Sequence, residues 1–132
     1  MANIDQKSVL KNLNALTPAA ISSNTTTVGI EIDSIGFNSL TFLNRCSAFS
    51  DGVFTPLIEA TDVSGSGYVT ITGDSIIGTE AKAALSAAGD SKVGIAAIYR
   101  YYRISFVSTG VSTGATLDSV ALLGSPRSAP VA

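Results

Sequence analysis

From Thr26 onward the apolar positions recur every second residue. Val28, Ile30 and Ile32 alternate with Gly29, Glu31 and Asp33, which is the period of a half-buried strand. Residues 34–38 make a corner around Gly36. A second strand follows over 39–48, with Leu40, Phe42 and Cys46 on one face and Leu43 on the other, so both faces are expected to be covered. Ser50, Asp51 and Gly52 signal a turn, and residues 53–60 read as the return strand. Pro56 within that strand predicts an edge position or a bulge. Residues 64–67 (Ser-Gly-Ser-Gly) form a flexible tip before a short strand over 68–72. Strands are also predicted over 92–99, 101–108 and 115–123, with a tight bend near Arg100 and a Gly/Ser/Thr turn over 109–114.

Two stretches break the period. Residues 78–88 (GTEAKAALSAA) predict a helix: Thr79 can cap it, the alanines favour it, and Gly89 and Asp90 end it. Near the start, Val9, Leu10, Leu13 and Leu16 have helical spacing until Thr17-Pro18 stops them. That patch is either one or two helical turns or an extended arm that docks its leucines. At the other end Pro126 and Pro130 rule out a packed strand throughout the tail. The expected organisation is therefore an N-terminal arm over 1–25, a β domain over 26–123 and a C-terminal tail over 124–132. The fold class is all-β, a β-sandwich or jelly-roll-like domain with one short helix and extended N- and C-terminal arms.

Composition sharpens this. The chain has 132 residues, enough for one domain with its own core. Hydrophobic residues make up 45% and charged residues only 14%. Serine and threonine fill the difference, at about a quarter of the chain. A charge-poor surface predicts cover by copies of the chain or by a partner, since interface cores are depleted in charge. The net charge of −2 argues against nucleic acid, which needs clustered Lys and Arg. No apolar run reaches the roughly 20 residues of a membrane helix, and no secretory signal is visible. The lone Cys46 predicts a buried small hydrophobe.

The absence of histidine decides most of the chemistry. Ser-His-Asp, Cys-His and histidine-bearing zinc sites are excluded. Gly73-Asp74-Ser75 lacks a base to activate the hydroxyl, and the Ser8-x-x-Lys11 pattern sits where nothing desolvates the lysine. Glu31, Asp33, Glu59, Asp62, Asp74 and Glu80 are scattered at spacings that select no acid–base pair. Asp62 with its following serines makes a poor calcium cage. No phosphate-cradling glycine loop is present. No enzyme, cofactor or metal is expected. Tyr99, Tyr101 and Tyr102 beside Arg100 and Arg103 fit either strand packing or an interface, where aromatic residues and arginine are enriched.

Four groups of residues, in this order, carry a resemblance: Leu13-x-x-Leu16-Thr17-Pro18-Ala19; the run from Ile32 to Ser39 (IDSIGFNS); Asp51-Gly52-x-Phe54-x-Pro56-x-Ile58-Glu59 with Gly78-Thr79-Glu80-Ala81; and Tyr101-Tyr102-Arg103-Ile104 with Gly124-x-Pro126-Arg127-x-Ala129-Pro130. Together they span nearly the whole chain. The chain resembles small head proteins encoded beside the major capsid protein in tailed bacteriophages. It departs from them at the bend before the Tyr-Arg strand, where Ile98-Tyr99-Arg100 stands in place of the usual Gly and Asn. The resemblance implies a virion structural protein, a cement or decoration protein on the capsid exterior whose partner is the major capsid protein. It offers no catalytic residues to carry over. The alternative is a receptor- or glycan-binding module of a phage fibre or spike. A charge-poor β domain must protect its sheet edges, which predicts a homo-oligomer, a dimer or trimer. The candidate contact residues for capsid or self are Val9, Leu10, Leu13, Leu16, Tyr99, Tyr101, Tyr102, Arg103, Pro126, Arg127 and Pro130.

Overall fold

Among the described residues the chain forms ten strands in two antiparallel sheets; the first alternating run divides into two short strands, with Val28 and Ile30 exposed and Ile32 buried. The computed structural model describes residues 10–71, 76–77 and 84–126. In chain order the strands are β1 (Lys11–Ile21), β2 (Thr26–Val28), β3 (Ile32–Asp33), β4 (Phe37–Phe49), β5 (Val53–Thr61), β6 (Val69–Thr70), β7 (Ile76–Ile77), β8 (Gly89–Ala96), β9 (Tyr101–Thr109) and β10 (Ala115–Pro126). One sheet runs β1-β10-β4-β8-β7 and the other β2-β9-β5-β6, with β3 paired to β9 beyond β2. Leu40 and Phe42 of β4, Phe54 and Ile58 of β5, and Ile104 and Phe106 of β9 are buried in one shared core. Cys46 lies in that core, where burial pushes its thiol pKa up.

Residues 11–21 are not an arm. They form β1, which pairs with β10 from Lys11↔Leu123 to Ile21↔Ala115. Register shifts between Asn14 and Leu16, and between Leu16 and Ala19, break the two-residue period. Ala15 and Leu16 are consecutive yet both buried. Bulges of this kind turn a strand's apolar spacing into the three-residue spacing that imitates a helix. Pro18 falls inside the second irregularity on an edge strand, a position that tolerates its missing donor. At the other end β10 continues to Pro126, opposite Phe37, so the start of the expected tail is also strand.

The expected helix over 78–88 falls partly outside the described residues, and its described part, 84–88, is not helical. Leu85 is buried in the core and exchanges two backbone hydrogen bonds with Phe54, N–H to carbonyl at 2.8 and 2.9 Å. Core burial of one leucine outweighs the propensity of the alanines around it. The same bridge explains Pro56. Phe54 donates away from β9, toward Leu85, so Pro56 two residues on turns its donorless nitrogen to the same open edge.

The edge strand β1 carries a proline and two irregularities that limit its pairing with other molecules. At the other edges, among the described residues, β6 covers only Glu59 and Ala60 of β5, and β7 only Gly94 and Ile95 of β8. Between β2 and β3, Gly29 donates to the Ile104 carbonyl at 2.8 Å and Ile30 to the Ala15 carbonyl at 2.7 Å. This link fastens the β1 edge of one sheet to β9 of the other. A side chain at Gly29 would run into both carbonyl oxygens, so the position requires glycine.

A braced apolar loop end as the candidate interface

At one end of the molecule three connections meet: 34–36 between β3 and β4, 62–68 between β5 and β6, and 97–100 between β8 and β9. Strand register brings them together. Asp33 pairs with Tyr101, Thr61 with Tyr101, and Ser39 with Ala96. β1 begins here and β10 ends here, at Lys11 and Pro126.

These loops are tied down by polar groups from neighbouring strands. The hydroxyl of fully buried Tyr102 accepts from the N–H groups of Ile98 at 2.9 Å and Tyr99 at 3.0 Å, holding the 97–100 turn from below. This is the logic of a tyrosine corner. Ser34 donates its N–H to the Arg100 carbonyl at 2.7 Å, and its hydroxyl lies 2.8 Å from that oxygen and 3.0 Å from the Tyr99 carbonyl. Arg100 forms a two-pronged pair with Asp33, at 3.0 and 3.2 Å, and donates its backbone N–H to Asp62 at 3.1 Å. Hydrogen bonding from Arg100 holds the Asp33 carboxyl below its ordinary pKa. Glu31 accepts from the hydroxyl of Ser64 at 2.6 Å, the N–H of Gly65 at 2.8 Å and the hydroxyl of Tyr68. Those three donors, Ser64 first, lower the Glu31 pKa. Burial and the bond to Glu31 push the Tyr68 hydroxyl up to about 12.

What these braces display is apolar. Ile98 is 68% exposed, Val63 62% and Ile35 59%, the highest values of any large hydrophobic among the described residues. A shallow recess of about 220 Å³ lies between Ile35 and Ile98, with Tyr99 and Arg100 on its wall. An aliphatic side chain on a rigid, hydrogen-bonded turn has already lost most of the freedom that binding would remove. Loops held by a scaffold are also where recognition is usually found.

The predicted contact residues divide. Tyr99 and Tyr101 are half-buried at this end: Tyr99 meets Tyr102 edge-on at 6.5 Å, and the Arg100 guanidinium sits 4.9 Å from the Tyr101 ring centre. Tyr102 and Leu16 belong to the core and do not reach the surface, and Leu13 packs against it. Arg103 pairs with Glu59 at 3.0 Å and covers the Tyr68 ring at 3.8 Å. Leu10 is half-buried, and the backbone of Pro126 lies in β10. Val9, Arg127 and Pro130 lie outside the described residues. Sequence reasoning passed over Ile35, Val63 and Ile98. The signal was a lone large aliphatic in each of three otherwise small or polar turns.

A second concavity, about 490 Å³, lies on the outer face of β10, β4 and β8. Leu43 and Val120 form its apolar row, with Arg45, Asp90, Lys92 and Asp118 around them. Arg45 and Asp90 are 3.6 Å apart and both exposed, a weak surface pair. Among the described residues no cluster of three or more His, Cys, Asp or Glu gathers to hold a metal. No described helix is long and apolar enough to cross a membrane.

No protein-family model matches this sequence, and no curated protein matches it. Among solved structures it is similar to one described as the structure of infectious bursal disease virus Gx strain, with a TM-score of 0.48 and 12% identity. The match covers 93% of this chain and 37% of that one, so the chain spans little more than a third of the length of the protein it matches.

Proposed function

We propose that this protein is a virion structural protein, a cement or decoration protein that binds the outside of a bacteriophage capsid and stabilises contacts between major capsid protein subunits. The observation that carries the reading is the braced apolar loop end, where β1 also begins and β10 ends. A cement protein has to present rigid contact surface to a lattice and has no reaction to perform. The resemblance to phage head proteins supports the same reading. The strand order supports it more loosely. Four strands of one sheet, β1-β10-β4-β8, face β2-β9-β5-β6, which is the order of a jelly roll of two Greek keys. Jelly rolls serve capsids, lectins and other proteins alike, so the architecture alone selects none of them.

The proposal includes a non-enzymatic role. The chain has no histidine, and Glu31, Asp33 and Asp51 all accept loop hydrogen bonds rather than converging on a cleft. The test is reconstitution. Heads of the encoding virus, prepared without this protein, are mixed with it and imaged by cryo-microscopy. Density for a two-sheet domain at fixed positions outside the lattice, with greater resistance of the heads to heat, is the expected result. Heads that remain bare at saturating protein would overturn the reading.

A further inference from the structure

We propose that Ile35, Val63 and Ile98 form a three-pronged docking surface, and that its occupant is an apolar recess on a partner protein rimmed by lysine or arginine. The prongs come from three separate loops, yet each sits on backbone fixed by at least one side-chain hydrogen bond: Asp33 on the Ile35 N–H, Thr61 on the Val63 N–H, and Tyr102 on the Ile98 N–H. Exposed apolar groups on mobile loops can fold away, whereas these are held outward. Ser34 and Asp62 both bond to the Arg100 backbone, so the three loops are tied to one another, and exposed aliphatics carried on such a surface mark a contact site.

The rim follows from charge. Arg100 is paired with Asp33, which also feels the charge of Lys11, and this leaves Asp62 and Glu31 around the prongs without an ion pair among the described residues. Asp62 adjoins Val63 and accepts the Arg100 N–H, and Glu31 holds Ser64 and Gly65 of the same loop. Both accept from neutral donors only: backbone N–H groups and the hydroxyls of Ser64 and Tyr68. A partner surface that closed over the prongs with carboxylates of its own would meet like charge, and one with cations at the rim would not. Naming that partner as the major capsid protein rests on the function proposed above; the surface and its chemistry do not.

The test uses the full chain in virus-infected cells. A photo-cross-linking residue replaces Ile98 in one version and Ser112, at the opposite end, in another, and the linked peptides are mapped. The expected result is a link from position 98 to an apolar partner segment flanked by Lys or Arg, with little from position 112. The paired change Ile35→Asp and Ile98→Asp should then weaken binding of the purified protein to that partner by about tenfold or more. Wild-type binding should weaken as salt rises. The milder pair Ile35→Ser and Ile98→Ser, with an unchanged circular dichroism spectrum, guards against misfolding of the aspartate variant. Links to a second copy or to the chain's own residues, equal yields from 98 and 112, or unaltered affinity of the folded serine variant would each overturn the docking surface. A mapped partner other than the capsid protein leaves this surface standing and removes the cement function. Heads decorated equally by wild type and variant do the reverse.

Discussion

The two ends of the molecule are braced by the same chemistry and show opposite surfaces. At the end away from Ile98, loops 22–25, 50–52 and 110–114 meet. The Asp51 carboxylate accepts from the N–H groups of Ser112 at 3.0 Å, Thr113 at 3.1 Å and Gly114 at 2.8 Å. Asn24 accepts from Val111 at 2.9 Å, and Ser108 accepts from Thr25 at 2.9 Å. Carboxylate-to-backbone bonds thus organise both ends. Yet the polar end exposes Ser22, Ser23, Asn24, Ser112 and Thr113, while the other exposes Ile35, Val63 and Ile98. Bracing is what the fold needs, because loop backbone at the margin of a core must find partners. Exposed aliphatics in the loops are not needed for that: at the polar end the loops carry only the half-buried Val111, and the exposed Val53 stands at the start of β5. The apolar display is therefore the feature that asks for a partner.

The largest expected effect breaks the polar end. Gly114 has φ of +94°, and a side chain there would collide with the Ile21 carbonyl. Gly114→Ala should lower stability by more than ~3 kcal/mol, read by chemical denaturation, through strain and a displaced β1–β2 link. A midpoint near wild type would mean that the two links are not packed as described. Next comes the brace of the apolar end. Tyr102→Phe leaves the Ile98 and Tyr99 N–H groups without their acceptor and should cost about 2 kcal/mol. Hydrogen exchange at those two amides should rise while the amides beneath Asp51 stay protected. Equal loosening at both ends would show that they are not independent.

Acid should act on both ends together. Hydrogen bonds from Ser64, Arg100 and Ser112 lead the causes that hold Glu31, Asp33 and Asp51 below their ordinary values of 4.5 for Glu and 3.8 for Asp. The unfolded chain therefore takes up protons before the folded one does. The stability these groups contribute is complete above the ordinary values and is lost as pH falls through the lower folded ones. Thermal unfolding between about pH 6 and about pH 2 should show the midpoint falling only in the acid half of that range. Asp51→Asn should flatten the curve without altering the loops around Ile98. The smallest effect sharpens the contrast most. Ile35→Ser or Ile98→Ser should change stability by no more than about 0.5 kcal/mol, because both side chains already face water. A larger loss would make them part of the core and remove the reason to call that end an interface.

Sequence periodicity was enough to place β4, β5, β8, β9 and β10 within a few residues, because two-residue alternation is a local property of a sheet with one buried face. It was enough to bury Cys46, and the absence of histidine stood on composition alone. Tertiary structure decided the rest. The β1 segment read as either a short helix or an extended arm, because its bulges, which exist only against β10, carry Ala15 and Leu16 to the same side and hide the two-residue period. The stretch at 84–88 kept the composition of a helix, but Leu85 gained more from the core and from Phe54 than a helical turn would return. For Tyr102 the sequence left strand packing and an interface both open, and the fold made its ring core and its hydroxyl the support of a turn. Ile35, Val63 and Ile98 are unremarkable one by one and distant in the chain. Only the antiparallel pairing of β3, β5 and β8 with their neighbours brings their loops to one end, and that pairing is a long-range property that no local pattern contains.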